Sequence, residues 1–237
     1  MAFRQDRFVE FSKDAIRIED AATVQKKAFS KAIGFGNVLQ KTEEEAVQML
    51  KCDRRENDLL NEAWEKAKNE LEKRHIKPGD KTAFLSAHCQ IAVFAYTLEK
   101  PDLYRYFNID SREVTNFFVW ENFQYKGLWL LLHKAVASKA AIYDAPFLVY
   151  RACTAEFAVE IGSKIMFQQF TSTTKNKKVA ESFLKKKPGT MFILEVTVAL
   201  AVESLSAYPS EGEFLVSPNN GFTVTDVKQN RLRRKFI

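Results

Sequence analysis

What this chain has little of narrows its chemistry before any motif is read. Its three cysteines, Cys52, Cys89 and Cys153, give neither the even count of a disulfide framework nor the paired spacing of a zinc site. Its eight glycines nowhere form Gly-x-Gly-x-x-Gly or a phosphate-cradling loop, which argues against the Rossmann and P-loop modes of nucleotide binding. No apolar run reaches the roughly 20 residues that cross a bilayer. Met1 to Glu10 lack the uninterrupted apolar stretch of a signal peptide. The closing Arg231-Leu232-Arg233-Arg234-Lys235-Phe236-Ile237 is basic where a lipid-anchor signal is hydrophobic. Taken as complete, the chain is expected in the cytoplasm; with a signal peptide removed, it is expected outside the cell. His88 and Cys89 are neighbours on an expected helix and point in different directions, so they make no metal pair. His133 has no nucleophile or carboxylate arranged near it in sequence, which leaves a Ser-His-Asp reading unsupported.

What is present is a large aromatic core in the making. With 237 residues, 46% hydrophobic and 20 Phe, the chain can bury one substantial core, as one domain or two closely packed lobes. A net charge of +6 permits an anionic partner such as a dinucleotide or an acidic protein surface. The basic runs at 185–187 and 231–235 have no interleaved aromatics, so nucleic acid is not an expected partner.

The periodicity divides the chain in two. Residues 1–40 read as an N-terminal extension without assigned function, holding a helix over 15–33 that stops at Gly34-Phe35-Gly36-Asn37. Thr42-Glu43-Glu44-Glu45 is a capping box. Val47, Leu50, Leu60, Ala63, Trp64, Ala67 and Leu71 then fall at helical spacing, until Pro78-Gly79-Asp80 breaks the run. A further helix is expected over 81–98 with Phe84, His88, Ile91, Ala95 and Leu98 on its packed face, ended by Pro101. Asp110 or Ser111 is expected to cap the next helix, and 127–136 forms another, apolar nearly all round. After Asp144-Ala145-Pro146 the period changes from about 3.6 to 2, which predicts strands. They are expected at 147–152, 165–171, 190–197, 201–204, 212–216 and 222–227, interrupted by a helix over 176–184. Helices first and strands afterwards predict an α+β fold: a helical part, 41–144, packed on a β-rich part, 145–237, as one domain. Connections this short predict antiparallel or mixed sheets rather than repeated βαβ units.

Three short motifs stand in the β-rich part. Phe147-Leu148-Val149-Tyr150-Arg151 is an apolar strand ending in arginine, Phe170-Thr171-Ser172-Thr173-Thr174 ends in hydroxyls, and Glu211-Gly212-Glu213 pairs two carboxylates. Each alone has an ordinary explanation: an exposed strand end, an N-cap and a solvated charge pair. Their order resembles the R-S-E branch of the ADP-ribosyltransferases. Upstream, Gln90-Ile91-Ala92-Val93-Phe94-Ala95-Tyr96-Thr97, Leu103-Tyr104-Arg105-Tyr106-Phe107-Asn108 and Gly127-Leu128-Trp129-Leu130-Leu131-Leu132 resemble the vertebrate arginine-specific mono-ADP-ribosyltransferases. So does Thr190-Met191-Phe192-Ile193-Leu194 downstream. The resemblance spans about residues 40 to 227.

The resemblance implies a two-sheet ADP-ribosyltransferase core, NAD as co-substrate, no metal, and a target protein with an exposed arginine. Splitting NAD between nicotinamide and ribose builds positive charge on the sugar, as in glycoside hydrolysis, and a fixed carboxylate stabilises that charge. The resemblance gives this role to Glu213. It gives Glu211 the grip on the acceptor guanidinium, which stays protonated in proteins and needs a carboxylate to orient it and draw off proton density. In extended backbone, residues two apart face one side, so both glutamates are expected to look into one cleft. Arg151 is expected against the NAD phosphates, and Ala152, where the family usually has glycine, to grip the nicotinamide carboxamide through its main chain. Ser172 is expected to fix Glu213 and the nicotinamide ribose, with Thr174 in place of the family's third-position serine. Phe170 is read as core, and Tyr208 as a candidate to stack on the incoming guanidinium. Water in place of the arginine would make the protein an NAD glycohydrolase; a catalytically inactive binding module is the alternative from another class. The family's ecto-transferases are secreted and disulfide-bonded, and many carry a cysteine in the region matching 197–200, where this chain has none.

Overall fold

The computed structural model describes residues 16–19, 37–77, 79–114, 117–184, 188–229 and 234–236. Its helical part begins at the expected capping box. The Thr42 hydroxyl accepts from the Glu45 N–H at 3.2 Å, and the Glu45 carboxylate accepts from the Thr42 N–H at 2.7 Å. This starts α1, Glu43–Glu56. Asn57 ends α1 and caps α2, Asp58–Glu72, by accepting from the Leu60 N–H at 3.0 Å. Leu60, Ala63, Trp64 and Ala67 are the buried stripe of α2, the face that the spacing predicts. The helix expected over 81–98 is broken in two. Lys81–Phe84 is a 3-10 turn, Ser86 accepts from the Cys89 N–H, and α3 runs over Ala87–Thr97. Phe84 is therefore 81% exposed and off the packed face. His88 is also exposed, 3.7 Å from the Glu43 carboxylate. Helix α4, Leu103–Glu113, runs through Asp110 and Ser111, which consequently cap nothing, and is followed by α5, Phe117–Glu121, and α6, Lys126–Ala137.

The strands form two sheets. The smaller has the order β1-β3-β8, made of Ile16–Glu19, Lys164–Phe167 and Gly221–Thr223, all antiparallel. Residues 16–19 are thus a strand where a helix was expected; Ile-Arg-Ile-Glu alternates with period two, which suits a sheet. The rest of that expected helix lies outside the described residues. So do Gly34 to Gly36 of its expected stop, while Asn37 to Leu39 are helical. The larger sheet contains β2 (Ile142–Cys153), β4 (Thr171–Thr174), β5 (Gly189–Val198), β6 (Leu200–Ala201), β7 (Glu213–Val216), β9 (Lys228–Gln229) and β10 (Arg234–Phe236). Its order is β6-β7-β4-β2-β5-β10-β9, and among the described residues only the β10–β5 pairing is parallel. Helix α7, Lys177–Phe183, links β4 to β5 across β2. Both strands are antiparallel to β2 and so parallel to each other, a crossover that the short connections did not predict.

The strand expected over 165–171 is two strands in different sheets. Its aromatic residues serve different cores: Phe167 packs with Phe192 and Phe222 between the sheets, and Phe170 with Tyr96, Phe107 and Trp129 among the helices. The strand expected over 201–204 ends at Ala201 and gives way to a 3-10 turn, Glu203–Leu205. The helical core takes in Phe170, Leu200, Val202, Leu205 and Leu215, so the helices pack on the β6-β7-β4 end of the large sheet. The second core joins Val149, Phe192, Leu194 and Val216 of the large sheet to Ile165 and Phe167 of the small one. The result is the α+β architecture that the sequence predicts.

Candidate active site

Arg151 stands on β2 between Val149 and Cys153, two members of the core between the sheets. It is 1% exposed, against the usual preference of arginine for solvent. Its Nη1 donates to the Ser172 carbonyl at 2.7 Å. Among the described pairs, β2 meets β4 only at Tyr150 and Thr174, whereas it follows β5 from Phe147 through Cys153. The arginine thus ties two strands beyond the point where their ladder stops.

All four residues of β4 are buried. Its register with β7 sets Ser172 opposite Leu215 and Thr174 opposite Glu213, and strand alternation puts Ser172, Thr174 and Glu213 on one face. The Thr173 hydroxyl donates to the Phe214 carbonyl at 2.8 Å. The Thr174 hydroxyl donates to the Glu211 carbonyl at 2.9 Å and accepts from the Asn176 N–H at 3.1 Å. Thr174 therefore joins the hydroxyl strand to both ends of the Glu-Gly-Glu motif.

The backbone between the glutamates is not extended, contrary to the expectation. Pro209–Glu211 is a 3-10 turn, and Gly212 follows at φ 55 and ψ 45, the left-handed conformation that glycine adopts without cost from a Cβ. Glu213 then begins β7. Glu211 and Glu213 are each 1% exposed. Glutamate is almost never buried this far as a surface charge pair, so the ordinary explanation of the motif fails.

The loop that carries both glutamates is fastened to the helical part. Arg74 Nη1 donates to the Ser206 carbonyl at 2.8 Å, and the Thr82 and Ser204 hydroxyls lie 2.8 Å apart. The Thr97 hydroxyl accepts from the Ala207 N–H at 3.0 Å. Tyr208 is half-buried and its hydroxyl donates to Glu99 Oε2 at 2.6 Å. Sequence reasoning missed Arg74, Thr82, Thr97 and Glu99, because these contacts link residues more than a hundred positions apart and no local pattern marks them.

The remaining expected residues separate cleanly. Phe170 is fully buried and is core. Its carbonyl accepts from the Tyr96 hydroxyl at 2.8 Å, which fixes the entry to β4. His133 stacks on Trp129 with ring centroids 5.3 Å apart, and burial lowers its pKa. The methyl of Ala152 packs with Ala180, Leu184 and Met191 under α7. The buried Arg151 offers a cation suited to phosphate, and Glu211 and Glu213 offer carboxylate acceptors suited to ribose hydroxyls, a set of groups that fits a dinucleotide such as NAD. Among the described residues, no three His, Cys, Asp or Glu side chains converge as metal ligands. The hollow along α2 is an exposed face of mixed charge lined by residues from Asp58 to Lys73, and it includes none of these residues. The basic run 185–187 lies outside the described residues, as do Arg231 to Arg233 of the terminal run.

Comparison with known proteins gives the same direction. The family model for NAD:arginine ADP-ribosyltransferase matches residues 23–236. The chain is 30% identical over 175 residues to an erythroblast NAD(P)(+)--arginine ADP-ribosyltransferase of Gallus gallus, covering 72% of this chain and 56% of that relative. It is 30% identical over 190 residues to NAD(P)(+)--arginine ADP-ribosyltransferase 2 of Gallus gallus, covering 76% and 57%. The chain therefore spans somewhat more than half the length of these curated relatives. Ecto-ADP-ribosyltransferase 5 of Mus musculus is 27% identical over 203 residues, 81% of this chain and 63% of that protein. Among solved structures, the eukaryotic mono-ADP-ribosyltransferase ART2.2 in complex with NADH superposes with a TM-score of 0.64 at 25% identity, over 82% of this chain and 83% of that one.

Proposed function

The chain belongs to the NAD:arginine ADP-ribosyltransferase family, and from that premise we propose that it transfers ADP-ribose from NAD to arginine side chains of proteins, releasing nicotinamide. NAD supplies a sugar whose bond to nicotinamide breaks with positive charge developing on the ribose. Glu213 holds a fixed negative charge against that ribose from the start of β7, in a site that excludes water. Glu211 grips the acceptor guanidinium, orients one nitrogen toward the sugar and takes up the proton lost as the new carbon–nitrogen bond forms. Arg151 holds the phosphates and ties β2 to β4, Ala152 grips the carboxamide through its main chain, and Ser172 fixes the ribose beside Glu213. Tyr208 offers its ring to the arriving guanidinium.

One observation carries the reading. Two glutamates, each 1% exposed, flank a left-handed glycine and are joined by Thr174 to the hydroxyl strand that Arg151 also reaches. Glu211 favours transfer over plain hydrolysis, because only transfer has an acceptor guanidinium to hold. We further take 41–237 as a single ADP-ribosyltransferase domain with 1–40 as an N-terminal extension that adds the strand Ile16–Glu19 to its small sheet, and place the protein outside the cell rather than in the cytoplasm. The location rests on the relatives named as ecto-enzymes, and among the described residues no helix is long and apolar enough to cross a membrane. Incubation with labelled NAD, with and without an arginine-rich protein, tests the function. Label bound to protein is the expected result; nicotinamide release without bound label would make it a glycohydrolase, and neither would make it an inactive module.

A further inference from the structure

Tyr208 reaches the glutamate loop from two sides. Its main chain is fixed within the loop: the N–H donates to the Ser206 hydroxyl at 3.0 Å, and the carbonyl accepts from the Glu211 N–H at 3.2 Å. The preceding residues are held independently by Arg74, Thr82 and Thr97. The ring hydroxyl is held by Glu99 at 2.6 Å, the length of a charge-assisted O–H···O bond. Glu99 is positioned in turn, since the next residue's carbonyl accepts from Lys66 Nζ at 2.6 Å and Leu98 closes the end of α3 onto the Ala95 carbonyl. The Glu99 contact is therefore redundant for the path of the loop and acts on the pose of the ring.

We propose that Glu99 is a positioning residue for the acceptor: by holding the Tyr208 hydroxyl it aims the ring that an arginine side chain passes on its way to Glu211. The inference rests on the arginine-directed reading of the site. It makes Glu99 a determinant of acceptor affinity, separate from the groups that cleave NAD. A ring tethered at both ends presents one face to a guanidinium, whereas a ring released at its hydroxyl must be ordered when the acceptor binds.

The test measures KM and kcat with agmatine, a small guanidine, beside nicotinamide release without acceptor. Glu99→Ala is expected to raise the KM for agmatine about tenfold, the effect of losing one charge-assisted hydrogen bond, with kcat and acceptor-free nicotinamide release within about twofold of wild type. Glu99→Gln keeps an acceptor oxygen at the same reach and should recover part of that loss. In a Tyr208→Phe background, Glu99→Ala should have no further effect on KM. An unchanged KM in Glu99→Ala, a parallel fall in nicotinamide release, or an additive effect in the Phe background would each overturn the proposal. Should the wild-type protein release nicotinamide yet never modify agmatine or protein arginine, the arginine-directed reading itself fails and this inference falls with it.

Discussion

Arg151, Glu211 and Glu213 are charged side chains at 1% exposure, and burying charge costs several kcal/mol per ion unless other groups offset it. A fold tolerates three such buried charges when they act on a ligand. Glu213→Gln keeps the shape and removes the charge, so nicotinamide release and ADP-ribose transfer are both expected to fall by about 100-fold or more, while calorimetry finds NAD binding far less changed. Retention of a third of the wild-type hydrolysis would remove Glu213 from the catalytic role. Arg151→Lys replaces a planar fork that already spends one N–H on the Ser172 carbonyl with a single point charge. NAD affinity should drop by about tenfold or more; unchanged affinity by calorimetry would contradict the assignment.

At the scale of elements, the fold depends on how closely α1 lies against α6. A Cβ on Gly127 would stand 2.2 Å from the Leu50 nitrogen. Gly127→Ala gains about 1 kcal/mol of helix propensity, yet the helices must separate to admit the methyl, and overpacking costs about 1–3 kcal/mol or more. A lower Tm is expected, and a higher one would show that the two helices are not in contact. Beside it, Asp53 of α1 caps α6 across the interface, its Oδ2 accepting from the Gly127 N–H at 2.8 Å. Burial pushes the Asp53 pKa from 3.8 up to about 6, against the pull of the Gly127 N–H and Lys126. The folded state thus holds this proton more tightly than the unfolded chain. Stability from this group is full below pH 3.8 and is lost as pH rises through 6. Asp53→Asn keeps the acceptor oxygen and cannot ionise, so its stability relative to wild type should rise by about 1–2 kcal/mol between pH 4 and pH 7.5. Denaturant curves at the two pH values measure it, and a difference independent of pH would refute it. The elements themselves were legible where the local chemistry is self-sufficient, as at the Thr42 capping box and the stripe of α2. They were not legible where one run of apolar residues feeds two cores, as at Phe167 and Phe170, or where a serine restarts a helix, as at Ser86.

For the whole molecule, the helices pack on one end of the large sheet, and the small sheet covers another part of it. The candidate site lies where β2, β4 and β7 meet the glutamate loop. The sequence displayed the loop's glutamates, the hydroxyl strand and the arginine because each is a contiguous motif. Alternation along β4 and β7 was enough to place Ser172 and Glu213 together once their register was known. What stayed hidden was the attachment of that loop to Arg74, Thr97 and Glu99, since it depends on tertiary packing and not on spacing. The left-handed turn at Gly212 was hidden too, because a lone glycine between two glutamates reads equally well as part of a strand.

We propose that one site cleaves NAD through Glu213 and directs the sugar to arginine through Glu211. The most direct test compares nicotinamide release with protein-bound ADP-ribose in wild type and Glu211→Gln, on the same arginine-rich protein. Gln keeps the size and one acceptor oxygen but loses the charge that pairs with a guanidinium. Bound ADP-ribose is expected to fall by about 100-fold or more while nicotinamide release into water continues. A parallel collapse of both would contradict it, since Glu211 would then serve the sugar cation or the fold of the loop, and not the acceptor.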